Sequence, residues 1–266
     1  MNRLLGLYAA AAYLFLHLPL LVLAVFSLNA SRFSAWEGFS LVWYRRLLDE
    51  PRLIEAAVNS LIIAVAATAA ATAIGTLCAY GMWRRKAKLL EGALLLSLVT
   101  PEIVTGVSLL AFFQWLFRHL DVRLGMHTVI LAHIAFSIAY VVIVVQARLR
   151  TFDHTLEEAA MDLGATEWQA FSRITLPLLA PGVIAAALLA FAISFDDYVI
   201  TSLVAGVDSE TLPMVIYGMA RKGVNPTVNA VSSIIVVGLG LLILLAESLQ
   251  TGHEATEAKK AGGRAR

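Results

Sequence analysis

Six apolar stretches, each at least 18 residues long, constrain this chain more than any other feature of its sequence. A helix needs about 20 apolar residues to cross the bilayer core, and lipid offers no partner for exposed backbone N–H and C=O groups. Residues 4–28 and 56–83 contain no Asp, Glu, Lys or Arg, and residues 92–117 contain only Glu102. Residues 128–145, 176–195 and 226–246 again contain none, the fifth stretch ending where Asp196 and Asp197 interrupt it. The pattern predicts an all-α integral membrane protein with six transmembrane helices. A cleaved leader is the other reading of residues 4–28. Leader apolar regions are about 7–15 residues long and follow a basic start, whereas only Arg3 precedes this longer run, so a retained helix is expected.

Composition narrows the classes further. Only 15% of the 266 residues are charged, against about 25% in soluble domains, which argues against a cytosolic enzyme. A formal net charge of +1 provides no basic footprint for nucleic acid. Cys78 is the single cysteine, so neither an internal disulfide nor a multi-cysteine metal site is expected. No metal ligand set is predicted; His17 and His133 each lie alone in apolar runs and read as satisfied core histidines.

Lys and Arg are enriched in cytoplasmic loops. With the N-terminus inside, twelve of them fall on the inner side and eight on the outer, and Arg84, Arg85, Lys86 and Lys88 crowd one tight inner loop. Both termini are therefore expected to be cytoplasmic. Residues 39–59 mix Leu47, Leu48 and Ile54 with charges, Trp43 and Tyr44; this suits an amphipathic piece at the outer interface or a solvated loop. Trp115 and Phe117 read as an interfacial belt. Ala67, Ala71, Gly75 and Ala79 form a small-residue stripe that would let another helix backbone approach closely. The polar tail, residues 250–266, is expected to be disordered. The chain reads as one membrane domain, 1–266, with a core at about 56–249 and a loop segment at 146–177.

That segment is the one inner loop long enough for structure of its own. Phe152, Leu156, Ala159, Ala160 and Leu163 share a face at helical spacing. Thr155 with Glu158, and Thr166 with Gln169, read as capping boxes, and Gly164 lies between them where a left-handed helix ending needs glycine. Pro177 ends the second helix or starts the next span. Two short helices meeting at a glycine turn form an elbow for a partner to grip, or one that braces the loop against its own bundle.

Here the sequence resembles the permease subunits of binding-protein-dependent type I ABC importers. Their signature is Glu-Ala-Ala, three residues, Gly, nine residues, then Ile-x-Leu-Pro. This chain has Glu158, Ala159, Ala160, then Gly164, then Ile174, Thr175, Leu176 and Pro177 at those spacings. The resemblance implies an ABC type-1 transmembrane domain whose elbow is a coupling helix docking on an ATP-hydrolysing subunit. Glu158, Ala159, Ala160, Asp162 and Gly164 would be the coupling residues, and Gly164→Val is expected to uncouple by clashing at the elbow. No phosphate-cradling G-x-x-x-x-G-K-[ST] sequence is present, so ATP and magnesium would be bound by a partner and the chain itself would need no cofactor. Expected partners are a second permease subunit, two ATPase copies, an extracytoplasmic binding protein and membrane lipid. The implied location is the cytoplasmic (inner) membrane.

Ionisable groups in a span cost about 2.5–3.5 kcal/mol each on insertion scales and are functional candidates by default. Glu102, Asp196 and Asp197, with Phe195 and Tyr198, would suit a cation through carboxylates and ring faces; structural pairing is the other role open to them. The stretches SFDDYVITSLVAG, LPMVIYGMARKGVNPTVNAVSS and TPEIVTGVSLL are similar to the polyamine branch of the family, which moves spermidine and putrescine. Relatives moving ferric ion, thiamine or aminophosphonates share parts of these stretches. On this reading Asp197→Asn lowers transport while assembly survives. An intramembrane enzyme would need a nucleophile or histidine pair converging on the acids, and none has recognisable spacing. A secondary transporter built on helices broken at Pro101 and Pro181 would leave the elbow unexplained.

Overall fold

The computed structural model describes residues 2–32, 35–85, 87–118, 122–223, 226–241 and 244. The expected disordered tail lies outside them. The described residues are helical throughout, apart from short connections and one isolated β-bridge between Asn29 and Phe39. In chain order the helices are α1 (Asn2–Ser27), α2 (Val42–Leu48), α3 (Pro51–Arg84), α4 (Lys88–Val99), α5 (Glu102–Phe117), α6 (Met126–Leu149), α7 (Thr155–Asp162), α8 (Glu167–Ala170), α9 (Leu176–Asp196), α10 (Val199–Val204), α11 (Leu212–Arg221) and α12 (Pro226–Leu241). A π-helical turn, Phe171–Thr175, joins α8 to α9. The chain forms two compact units, residues 1–56 with 215–245, and a larger one built on residues 57–214.

Among the described residues, four helical segments are long and apolar enough to cross a membrane, or five if α4 and α5 together count as one span. That pair corrects the continuous third span expected at 92–117: α4 and α5 meet at 109°. The break follows from Pro101. A proline disfavours helical geometry in the residue before it and supplies no N–H of its own; accordingly Thr100 is extended (φ −67°, ψ 128°) and so is Pro101 (φ −57°, ψ 137°). The apolar run of residues 226–246 appears as α12, 16 residues long within the described part.

In the larger unit α6 packs along α9, and α10 packs on α5 and α6. One core cluster joins Ala71, Ala79 and Met82 of α3 to Val141, Val142 and Val145 of α6 and Ala186 and Ala190 of α9. A second joins Ile63, Phe113, Val129, Ala132, Ile200 and Val204. The small-residue stripe is buried along its whole length, and a Cβ on Gly75 would lie 2.7 Å from a Val141 methyl group, so α3 and α6 touch at the expected face.

In the smaller unit, residues 42–48 are a helix rather than a solvated loop. The Trp43 indole donates to the Asn29 carbonyl at 2.7 Å, and the Tyr44 and Ser27 hydroxyls lie 2.7 Å apart. Helix α1 leaves its apolar side chains exposed, as expected of a surface that lipid or another subunit covers. Of the expected aromatic belt, Trp115 is exposed, whereas Phe117 stacks on Phe113 and lies beside the His127 ring.

Candidate functional site

The break at Thr100 and Pro101 has a counterpart between α9 and α10, where Asp197 is extended (φ −65°, ψ 124°). The two breaks face one cavity of about 700 Å³. Glu102, Asp196, Asp197 and Tyr198 all line it, with Phe136 and Tyr140 of α6 supplying ring faces. Four of the five residues proposed for a substrate path are thus brought to one place across nearly a hundred residues of sequence. The fifth, Phe195, is not in the lining and stacks instead on Phe191, with ring centroids 5.8 Å apart.

The acids differ in what they do. The side chains of Glu102 and Asp196 are exposed. Asp197 is turned inward: Oδ1 accepts from the Ile200 N–H at 3.3 Å, and Oδ2 accepts from the Thr201 N–H and hydroxyl, both at 2.7 Å. It caps the first turn of α10, satisfying donors that a helix start leaves unpaired. His133, only 1% exposed, places Nε2 3.4 Å from the same Oδ2 and 2.9 Å from the Thr201 hydroxyl, with Nδ1 2.7 Å from the Ser194 hydroxyl. His133 is the satisfied core histidine expected, and it ties α6 to α9 and α10. Asp197→Asn therefore perturbs this junction as well as the cavity, so it does not isolate substrate contact as the sequence reading supposed. The signal missed was the pairing of His133 with Asp197, which no local spacing reveals.

The elbow forms as two short helices joined at a glycine turn. Gly164 has φ +92°; its N–H donates to the Met161 carbonyl at 2.9 Å, and the Ala165 N–H reaches the Ala160 carbonyl at 3.0 Å. This pair of bonds is the Schellman ending. The Thr166 and Gln169 capping box is present, with reciprocal bonds of 2.9 and 3.3 Å. The Thr155 and Glu158 box is not: Asp153, two residues earlier, accepts from the Thr155 N–H at 3.0 Å and from its hydroxyl at 2.9 Å in an Asx turn, and the Glu158 N–H donates to the His154 carbonyl at 3.2 Å. The two bonds from Thr155 hold the Asp153 carboxyl below its ordinary value. A depressed carboxylate supports the folded form at neutral pH and loses that support only as pH falls below the usual aspartate range, so the contribution of Asp153 to the start of α7 is constant near pH 7.

Glu158, Ala159, Asp162 and Gly164 are exposed, as are Leu156, Trp168 and above all Leu163, at 90%; Ala160 is half-buried. The apolar face of α7 is thus turned away from the chain's own core. No atom lies within 4 Å of a Cβ built on Gly164, so Gly164→Val would act through its backbone conformation and not through the clash expected within this chain. Glu157, which the signature does not include, is 3% exposed and faces inward.

Residues 71–256 match the family described as binding-protein-dependent transport system inner membrane component. The chain belongs to that family, the membrane components of transport systems, and the family's role is transport rather than chemical conversion. It is 40% identical over 248 residues to the spermidine/putrescine transport system permease protein PotC of Escherichia coli (strain K12), covering 92% of each chain. It is also 40% identical over 249 residues to the putrescine transport system permease protein PotI of the same organism, covering 91% of this chain and 89% of PotI. The fold is that of a subunit of a bacterial ABC transporter importing the acidic polysaccharide alginate (TM-score 0.71, 16% identity, 93% of this chain and 96% of that one). It is also shared with the MetNI methionine ABC transporter (TM-score 0.59, 17% identity, 74% and 92%).

Proposed function

We propose that this chain is the translocation subunit of an ATP-driven importer for spermidine and putrescine. The observation that carries this is 40% identity, sustained over more than nine-tenths of the chain, to permeases named for those two polyamines. The cavity suits such a cargo: Glu102 and Asp196 present carboxylates, and Tyr198, Phe136 and Tyr140 present ring faces, a combination that favours extended polycations over anions. In the working assembly the chain has six spans, both termini in the cytoplasm and the elbow on the cytoplasmic side. It pairs with a second permease subunit, two copies of an ATPase that bind ATP and magnesium, and an extracytoplasmic binding protein. Glu158, Ala159, Ala160, Asp162 and Gly164 form the surface that docks on the ATPase, and nucleotide-driven closure there rocks the helices between outward- and inward-facing states. The site within the cytoplasmic membrane needs no cofactor of its own.

Uptake of labelled spermidine and putrescine, in cells expressing the whole transport system with and without this chain, tests the proposal. Uptake that requires the chain and resists excess ferric ion, thiamine and aminophosphonate is expected. Competition by one of those three, with no polyamine uptake, would retain the importer and replace its cargo. Within the cavity, Asp196→Asn is expected to lower uptake about tenfold at unchanged membrane abundance, the loss of one charge-assisted contact. Asp197→Asn presents an amide donor to the donors at the start of α10, costs about 1–3 kcal/mol, and should lower the amount of folded protein as well. Unchanged uptake per folded protein in both variants would leave the acids a purely structural role.

A further inference from the structure

Two neighbouring glutamates of the elbow point in opposite directions. Glu158 is exposed, whereas Glu157 is buried, and a buried carboxylate is costly unless its oxygens are satisfied. Its partners come from the end of α3 and from the π-helical turn that leads into α9. The Tyr80 hydroxyl, near the end of α3, lies 3.1 and 3.3 Å from the two carboxylate oxygens, and the Thr175 hydroxyl, at the threshold of α9, bonds to Oε1. Hydrogen bonds to an ionised acceptor are about twice as strong as neutral ones.

The surrounding contacts converge on the same joint. The Tyr80 ring packs on Phe171 with centroids 4.5 Å apart, and Trp83 lies flat on His154 at 3.7 Å with the planes 1° apart. Arg84 donates to the Tyr80 hydroxyl at 3.3 Å and reaches the Glu167 carboxylate at 3.5 Å. The end of α3 therefore grips both arms of the elbow, and Glu157 bonds to α3 and to the entry of α9 together.

We infer that Glu157 is a positioning residue for energy coupling: bonded to Tyr80 and Thr175, it locks the elbow to α3 and α9 so that a displacement of the exposed elbow face moves both helices. The inference rests on the elbow being the ATPase docking surface. A loose elbow would absorb the stroke; a latched one transmits it. Without Tyr80 the carboxylate would remain buried with one fewer donor, a loss felt at the joint and not in the cavity, whose lining contains neither residue.

Tyr80→Phe removes the hydroxyl and keeps the ring on Phe171, and Glu157→Gln keeps an acceptor oxygen while removing the charge. Each variant is assembled in the complete complex and reconstituted in proteoliposomes, and spermidine accumulated per ATP hydrolysed is measured. Hydrogen exchange of residues 155–165 is followed in the same complex without nucleotide. The expected result is a fall in transport per ATP by a factor of about 2–30, the range that substitutions along coupling networks produce, together with faster exchange in the elbow. Uptake and hydrolysis falling in step, with their ratio and the exchange unchanged, would reduce the latch to a packing contact and overturn the inference. Should Glu157→Gln fail to assemble, Tyr80→Phe decides alone. A wild-type complex that accumulates no spermidine overturns the cargo assignment, and the exchange measurement then still decides whether the latch holds the elbow.

Discussion

Gly206→Ala is expected to leave almost no folded protein in the membrane. A Cβ at this position would lie 1.7 Å from the Leu124 carbonyl oxygen, 2.2 Å from its carbon and 2.7 Å from the Gly125 nitrogen. All three are backbone atoms, so no side-chain rotation relieves the overlap, and one of the two segments must move. Both are tied. The Thr128 hydroxyl, in the first turn of α6, accepts from the Gly125 N–H at 3.1 Å and lies 2.7 Å from the Val204 carbonyl oxygen. Beyond Gly206, the Ser209 hydroxyl closes the turn on Gly206 itself, and Asn59 of α3 donates to the Glu210 carbonyl at 3.0 Å. Displacement would break this set together, a penalty of about 4 kcal/mol or more, at the rare end of single substitutions. Membrane abundance and the melting temperature of the detergent-purified chain measure it. Gly81→Ala is the control: nothing lies within 4 Å of its Cβ and alanine suits a helix interior better than glycine, so abundance should hold. Wild-type abundance and melting in Gly206→Ala would contradict the close approach.

Gly164→Val is expected to abolish most transport while leaving the membrane bundle folded. The φ of +92° lies where an L side chain is disfavoured by about 1–2 kcal/mol, and a β-branched one by more. The position is exposed and uncrowded, so the strain is relieved locally, by unwinding the Schellman ending and re-aiming α7 against α8. The bundle itself does not depend on that angle; a surface that must match a partner does. Uptake is therefore expected to fall about tenfold, which is the effect of roughly 1.4 kcal/mol at the elbow, at unchanged abundance. Gly164→Asn, which tolerates the left-handed region, should retain more activity than the valine variant. Equal uptake in all three proteins would remove the turn from the coupling mechanism.

The features legible in the sequence were those with a short period or a fixed local chemistry. The uncharged runs, the small stripe of α3, the glycine turn at Gly164 and the box of Thr166 and Gln169 each lie within one contiguous stretch of chain. Pro101 was visible too, yet an argument from apolar length alone reads through it, because hydropathy is indifferent to the missing N–H that separates α4 from α5. The acids were recognisable as costly, but cost alone does not distinguish a carboxylate offered to a cavity, such as Asp196, from one consumed at a helix start, such as Asp197. That distinction rests on His133 and Thr201, brought there by packing. Glu157 was passed over for the same reason: its hydroxyl partners at Tyr80 and Thr175 are long-range, and its neighbour Glu158 carries the recognisable signature. Long-range polar pairing is set by how α3, α6 and α9 pack, and periodicity does not encode it.

The most direct measurement of the central claim is ATP-dependent accumulation of labelled spermidine in proteoliposomes holding this chain, its partner permease, the ATPase subunits and the binding protein. Accumulation that requires ATP hydrolysis, is lost when this chain is omitted, and falls in Asp196→Asn and Gly164→Val is the predicted result. An assembled complex that hydrolyses ATP yet accumulates no spermidine or putrescine, while driving another solute inward, would contradict it.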